Sequence, residues 1–202
     1  MADTPVRPIQ NDNDARPAAI LIIDQESESA NLHRALKNDL PNLHFDMYSS
    51  FDQAESRVGE RYQALIINVQ IAGLQHFSLL RTNHFDQSRT PFLVTARIHE
   101  KGLAQRALQH GALGCIMKPI TDGVAASTVR RAISLSKLWT TMALTQQMLE
   151  RYKEYRPGRS IDSCQRSIEA IETSLRLLKG MAHDQEQQAR FQAVEQLNAL
   201  KL

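Results

Sequence analysis

Cysteine, aromatic residues and long apolar runs are all scarce in this chain of 202 residues. Its two cysteines, Cys115 and Cys164, are too few and too far apart for a disulfide framework or a cysteine-bound zinc. No apolar run is long enough to predict a transmembrane helix, and the first residues lack a signal-peptide pattern. We therefore expect a cytoplasmic protein that makes no contact with a membrane.

A strong excess of charge is also missing, since the formal net charge is only +2. Residues 123–202 carry 12 Lys and Arg against 8 Asp and Glu, which gives a mild local net charge of +4. So small an excess does not favour nucleic acid or a membrane surface as the partner. The histidines and cysteines show no metal-ligand spacing. We expect no metal, no cofactor and no enzymatic activity.

Glycine and proline, with 8 and 7 residues, separate the periodic segments of the chain. Residues 1–17 are polar, contain three prolines and predict a flexible tail. After this tail, five short apolar segments alternate with helical patterns, which predicts an α/β fold with a five-stranded parallel, doubly wound sheet. The predicted strands are residues 18–23, 44–48, 64–68, 91–95 and 114–117. The predicted helices are residues 27–40, 51–62 and 100–110, with a further helical pattern through Leu74, Phe77, Leu79 and Leu80.

Polar residues end four of the five predicted strands. They are Asp24 and Gln25 after the first strand, Asn68 at the third, Thr95 at the fourth, and Lys118 with Pro119 at the fifth. The carboxyl ends of parallel strands meet at one edge of the sheet, where open α/β folds place their chemistry. This arrangement resembles the receiver domains of response regulators in two-component signalling, and the resemblance covers about residues 18–136.

The resemblance implies a flavodoxin-like receiver fold with an altered site. Receivers carry an acidic pair that holds Mg²⁺, a phosphoacceptor Asp, a Thr or Ser that reports phosphorylation, and a Lys that contacts the phosphoryl oxygens. Here Asp24, Thr95 and Lys118 remain, whereas Gln25 replaces the second acid and Asn68 replaces the phosphoacceptor. An amide cannot form the acyl phosphate that a carboxylate nucleophile forms. We therefore expect a vestigial phosphorylation site in which Lys118 pairs with Asp24.

The same resemblance implies two further features. Cys115 stands where the family usually has an aromatic switch residue, so the usual response to phosphorylation is expected to be absent as well. The Lys118-Pro119 bond is expected to be cis, by analogy with the family.

Beyond the receiver-like part, the sequence predicts two long helices. The first runs from Thr121 to about Tyr155, the second begins near Ser160, and Arg156-Pro157-Gly158 breaks the pattern between them. Apolar residues recur at spacings of three and four, as in a coiled-coil seam. The seam residues expected at a dimer or partner interface are Leu135, Leu138, Met142 and Leu149, followed by Ile161, Ile168, Ile171, Leu175 and Leu178. After Gly180 the pattern weakens, which predicts an interrupted helix with a fraying last stretch.

Two arrangements of these helices remain open. An antiparallel hairpin would leave the flanking Trp139, Leu144, Met148 and Leu177 to be buried by pairing two hairpins into a four-helix bundle. Alternatively, the first helix is a parallel dimeric coil and the second packs elsewhere. Both arrangements predict a homodimer.

The sequence thus predicts a tail (1–17), a receiver-like domain (18–136) and a helical coiled-coil extension (137–202). The first functional hypothesis is a response-regulator-like signalling protein that acts without phosphorylation, through contacts with itself and with protein partners of a signalling pathway. One alternative is a nucleic-acid-binding regulator of the antiterminator kind, although the basic residues are scattered and no helix-turn-helix pattern is present. Another is a trans-acting regulator of an enzyme in cyclic-dinucleotide signalling.

Overall fold

The structure, a computed structural model, describes residues 19–58, 62–72, 90–121, 123–154 and 161–200. Side chains are described for residues 19–54, 62–72, 90–121, 123–151 and 168–200. The predicted tail, the helical pattern from Leu74 to Leu80 and the predicted break at residues 156–158 lie outside the described residues, as do the side chains of Ile161 and Cys164.

Five parallel strands form one sheet with the order β2-β1-β3-β4-β5. The strands are β1 (Ala19–Ile23), β2 (His44–Tyr48), β3 (Ala64–Asn68), β4 (Phe92–Arg97) and β5 (Cys115–Lys118). Every residue of β3 is buried, which explains its continuous apolar sequence, because a parallel strand in the middle of a sheet is covered on both faces. The predicted fold class is confirmed, and each predicted strand is present to within two residues of its ends.

Helices cover both faces of this sheet. They include α1 (Glu26–Asp39), α2 (Phe51–Val58), α3 (Lys101–Gln109), α4 (Val124–Glu154) and α5 (Ile161–Ala199), with a short 3-10 turn at Ile98–Glu100. Residues 69–72, directly after β3, are helical as well. Helices α2 and α3 pack on one face through Ala54, Ala104 and Leu108. Helices α1 and α4 pack on the other face through Leu36 and Val129. This is the doubly wound arrangement that the alternation of strands and helices predicts.

Helices α4 and α5 form an antiparallel hairpin within one chain. Met142 and Leu149 of α4 share a buried cluster with Ile168 and Leu175 of α5. Farther along α5, Ala189 faces the first turns of α4, so the two helices run in opposite directions. Of the two arrangements that the sequence left open, the structure contains the hairpin.

The last part of α5 differs from its prediction, because the helix continues through Gly180 and packs on the receiver-like part. Ala193 and Leu197 are buried in the same cluster as residues of α3. The Lys101 ammonium donates a hydrogen bond to the carbonyl oxygen of Leu200, 3.1 Å away. A glycine inside a helix costs only about 1 kcal/mol, which the burial of a single leucine offsets.

A further contact holds α5 to the loop before β5. The Arg190 guanidinium donates to the carbonyl oxygen of Gly111 at 3.3 Å and also pairs with Glu186. Gly111 has a positive φ of 108°, a conformation that other residues rarely adopt, so the carbonyl is presented by a turn that favours glycine.

Helix α4 runs without interruption past residue 136. The proposed division between domains at that residue stays a prediction.

Candidate functional site

The sheet brings four of the five predicted site residues to one point at its carboxyl edge. Asp24 directly follows β1, Asn68 ends β3, Thr95 lies in β4 and Lys118 ends β5. Their proximity follows from the topology, since β1, β3, β4 and β5 lie side by side and parallel. All four are buried, and Asp24 and Thr95 have no exposed surface.

The Asp24 carboxylate is the centre of this cluster and accepts hydrogen bonds at both of its oxygens. Its Oδ1 receives hydrogen bonds of 2.8 Å from the side-chain amide of Asn68, the ammonium of Lys118 and the backbone N–H of Gln25. Its Oδ2 lies 2.7 Å from the Thr95 hydroxyl, which donates to it, and 2.7 Å from the same ammonium. The predicted ion pair between Lys118 and Asp24 is therefore present. A buried carboxylate with this many donors is fully satisfied without solvent.

Asn68 fits this environment better than a carboxylate does. Its Nδ2 donates to Asp24, while its Oδ1 accepts the backbone N–H of Gln70 at 2.8 Å. The orientation of the amide is fixed by chemistry, because a carboxylate only accepts and a backbone N–H only donates. An Asp at this position could accept from Gln70 but would have no hydrogen to donate to Asp24.

Gln25, the fifth predicted site residue, takes part only through its backbone. Its side chain is exposed, and its carbonyl oxygen accepts the N–H groups of Glu28 and Ser29 at the start of α1. The N–H of Gln25 is the group that reaches Asp24. Gln25 therefore acts as the residue that joins β1 to α1.

The donor set at this site does not fit Mg²⁺, the cation that receivers hold. Mg²⁺ prefers six oxygen ligands in octahedral geometry. Here the buried Asp24 carboxylate has both oxygens within 2.8 Å of the Lys118 ammonium, and the neighbouring Asn68 turns its NH₂ group toward it. A cation placed against Asp24 would meet these donors. Within the described residues, no group of three or more His, Cys, Asp and Glu side chains is arranged to hold a metal.

Two charged residues that the sequence analysis did not select extend the site outward. Glu28 of α1 bridges two cations, with Oε1 at 2.7 Å from Arg97 Nη2 and Oε2 at 3.2 Å from Lys118 Nζ. The hydrogen bond from Arg97 is the main reason that the pKa of Glu28 lies below its ordinary value. The same hydrogen bond raises the pKa of Arg97. Asp24, Lys118, Glu28 and Arg97 thus form an alternating row of charges.

The backbone after β4 fixes the position of Arg97. The buried carboxylate of Glu100 accepts the N–H of Arg97 at 2.7 Å and so holds the turn in which the strand ends. The sequence contained a partial signal for this row, because Glu28 lies in the first turn of the helix that follows Asp24, and Arg97 follows Thr95 by two strand positions. That signal indicates where Glu28 and Arg97 lie on their own elements. It does not give the distance between their side chains.

Cys115 lies inside the fold and is not a reactive thiol. Its Sγ is 3.6 Å from the sulfur of Met117. Burial raises the pKa of the thiol to about 12, so it stays protonated at neutral pH. The cis geometry expected for the Lys118-Pro119 bond is present.

The predicted interface residues differ in burial in the structure, and the side chain of Ile161 lies outside the described residues. Most are buried within their own chain, and these are Leu135, Met142, Leu149, Ile168 and Leu175. Leu138 and Leu178 are partly buried against the same hairpin core, whereas Ile171 is exposed. The larger exposed apolar surface on the hairpin belongs to flanking residues, among them Leu144, Met148, Leu177 and Met181. In the part of the chain that the structure describes, no helix is long and apolar enough to cross a membrane.

Solved structures with a similar fold include response-regulator proteins and an adenylate cyclase. A receiver domain protein from Clostridium thermocellum is 22% identical, with a TM-score of 0.51 over 60% of this chain and 98% of that chain. Full-length FixJ from B. japonicum is 18% identical, with a TM-score of 0.50 over 91% of this chain and 98% of that chain. An adenylate cyclase from Rhodopirellula baltica is 14% identical, with a TM-score of 0.51 over 66% and 97%. No protein-family model matches the chain, and no curated protein is significantly similar in sequence. The structural similarities establish the fold of a response-regulator receiver domain.

Proposed function

We propose that this chain, which has the receiver fold, is a response-regulator-like signalling protein whose receiver part works without phosphorylation. The observation that carries the proposal is the closed network around Asp24, in which Asn68, Thr95 and Lys118 all donate to one carboxylate. In a phosphorylated receiver the corresponding Thr and Lys are needed by the phosphoryl group. Here both are already engaged inside the protein.

The chemistry of residue 68 supports the same conclusion. Phosphoryl transfer to a receiver needs a carboxylate oxygen that attacks phosphorus, and the Asn68 amide offers none. It also needs a cation that offsets the charge of the incoming group. The exposed Gln25 side chain and the Lys118 ammonium beside Asp24 provide no such cation site.

The hairpin is the proposed output of the protein, because it exposes apolar side chains to a partner. Leu144 and Met148, one turn apart on α4, are 54% and 67% exposed. Leu177 and Met181, one turn apart on α5, are 66% and 56% exposed. Burial of each large apolar side chain contributes about 1.5–3 kcal/mol, which favours pairing of two hairpins as a homodimer. Other protein partners would bind through the same surface.

Treatment with a small phosphodonor tests this proposal. The full-length protein is incubated with acetyl phosphate and Mg²⁺, and its intact mass is measured. We expect no phosphorylated species, whereas a double variant, Gln25→Asp with Asn68→Asp, should gain one phosphoryl group because both missing carboxylates are restored. The single variant Asn68→Asp serves as the intermediate control and should react poorly. An acyl phosphate on the wild-type protein, mapped to the peptide that contains residue 68, would overturn the proposal.

A further inference from the structure

A cleft of about 710 Å³ opens beside the Asp24 network. One wall is the exposed side of α1, which contributes Asn31, Arg34 and Asn38. The other wall is formed by the segments that follow β4 and β5, including Arg97 and Lys118. Its volume lies within the range of about 300–1,000 Å³ that is usual for small-molecule sites. Asn68, which stands at the phosphoacceptor position, is not among the described residues of its walls.

The charge of the cleft is positive. Three cationic side chains, Arg34, Arg97 and Lys118, line it together with one carboxylate, Glu28. Asp24, which lies below the cleft, offsets the charge of Lys118. Arg34 forms no ion pair with any residue that the structure describes and is exposed. After internal pairing, the described residues that line the cleft keep one full positive charge.

Glu28 occupies the point at which two of these cations converge. Its carboxylate lies 2.7 Å from Arg97 and 3.2 Å from Lys118, and its side chain is 25% exposed. It acts as an internal anion, so the side chains of Arg97 and Lys118 are already arranged around a carboxylate. A phosphate monoester carries about 1.5–2 negative charges at neutral pH, so it competes well with the single charge of a carboxylate. Arginine binds such a group through paired N–H donors.

The cleft also contains apolar side chains, which favour a ligand with more than a phosphate. Ile98 is 39% exposed, and Pro119 and Ile120 line the same cleft. Ala35 of α1 belongs to its lining as well. A bare inorganic ion would leave this surface uncovered, whereas the uncharged part of an organic phosphate would cover it.

We propose that this cleft binds a phosphorylated small molecule, with the phosphate at Arg97 and Arg34 and the uncharged part against Ile98, Pro119 and Ile120. Binding draws Arg97 away from Glu28 and so changes the row of charges that ends at Asp24. The ligand is therefore a non-covalent input to the same edge of the sheet that receivers use for phosphorylation.

Titration of the full-length protein at constant ionic strength tests the proposal. The probes are AMP and ribose 5-phosphate. Inorganic phosphate and adenosine are the controls, because one is the phosphate alone and the other is an uncharged part alone. Binding is followed by chemical-shift changes in the backbone amides. We expect the two organic phosphates to bind with a Kd of about 1 mM or tighter and to shift the amides of residues 31–38 and 97–99. Inorganic phosphate should bind at least about tenfold more weakly, and adenosine should not bind.

Four variants distinguish a built site from general attraction of anions. Arg34→Gln and Arg97→Gln should each weaken binding by about tenfold or more, because each removes a charged donor to the phosphate. Glu28→Gln should tighten binding by about fivefold, because it removes the internal competitor. Arg176→Gln removes an exposed charge from the hairpin and should leave the affinity unchanged.

Three results would overturn the proposal. The first is the absence of binding by either organic phosphate in both the wild type and Glu28→Gln. The second is equal weakening by Arg34→Gln and Arg176→Gln, which would mean that the protein attracts anions through its overall charge. The third is an affinity for inorganic phosphate equal to that for the organic phosphates. Arg34 is exposed on the surface of α1, so Arg34→Gln is expected to fold normally and to remain informative if Arg97→Gln does not fold.

Discussion

Replacement of Asn68 by aspartate should destabilise the protein, although aspartate is the residue that a phosphorylatable receiver carries. The change removes the hydrogen bond from Asn68 Nδ2 to Asp24, which is 2.8 Å long and lies between buried groups. A hydrogen bond to a charged group contributes about 1.5–3 kcal/mol. The change also brings a second carboxylate to a similar distance from Asp24. Repulsion between two charges about 4 Å apart is roughly 4 kcal/mol at an effective dielectric constant of 20.

Lys118 reduces the repulsion between the two carboxylates, since its ammonium already lies 2.7 Å from Asp24. We therefore expect Asn68→Asp to lower the free energy of unfolding by about 2–4 kcal/mol in EDTA at neutral pH. Urea denaturation followed by circular dichroism measures the difference. Asn42→Asp, which adds the same charge in an exposed turn, is the matched control and should change stability by less than about 0.5 kcal/mol. Equal stability of the two variants would refute the closed network as a source of stability.

Three further predictions concern the outer charges, the end of α5 and the hairpin surface. Glu28→Gln should cost about 0.5–1 kcal/mol at pH 7, where this partly exposed carboxylate is ionised. The pKa of Glu28 in the folded protein lies below the ordinary value of 4.5. The difference in unfolding free energy between the variant and the wild type should therefore disappear as the pH falls below 4.5 and through the pKa of the folded protein, as measured by urea denaturation at several pH values. Deletion of residues 182–202 should destabilise the receiver-like part by about 3–5 kcal/mol, since it uncovers α3 and removes the hydrogen bond from Lys101; a thermal melt unchanged by the deletion would contradict this. Light scattering should show a dimer at micromolar concentration that Leu144→Asp with Met148→Asp converts to a monomer, without loss of helix content because both side chains are exposed; a monomeric wild type would contradict the dimer.

The fold could be predicted from the sequence because its signals are local and repeated. The apolar run through Ile66 and Ile67 is typical of a buried parallel strand, and Asn68 marks its end. The alternation with helices then restricts the topology to few arrangements. The meeting of Asp24, Thr95 and Lys118 at one edge follows from that topology, so the central residues of the site could be predicted as well.

Other features depend on distances that the pattern of residues does not contain. The side chains of Glu28 and Arg97 meet only because α1 and the end of β4 are close at the sheet edge. The docking of the last part of α5 could not be predicted, because its buried residues are mostly alanines, such as Ala189 and Ala193, which give a weak hydropathy signal. Ala193 packs in the same cluster as residues of α3, so the docking arises from the fit of small side chains rather than from a strong apolar period.

Titration with Mg²⁺ measures whether the Asp24 network is closed to metal. The melting temperature of the wild-type protein and of the double variant Gln25→Asp with Asn68→Asp is measured in EDTA and then in a series of Mg²⁺ concentrations at constant ionic strength. The wild type should melt at the same temperature throughout, because Asn68, Thr95 and Lys118 already satisfy the buried carboxylate of Asp24. The double variant should be less stable in EDTA and gain several degrees in Mg²⁺, because cation binding to the folded state alone raises its stability. A Mg²⁺-dependent rise in the wild-type melting temperature that Asp24→Asn abolishes would show instead that the Asp24 network binds the cation.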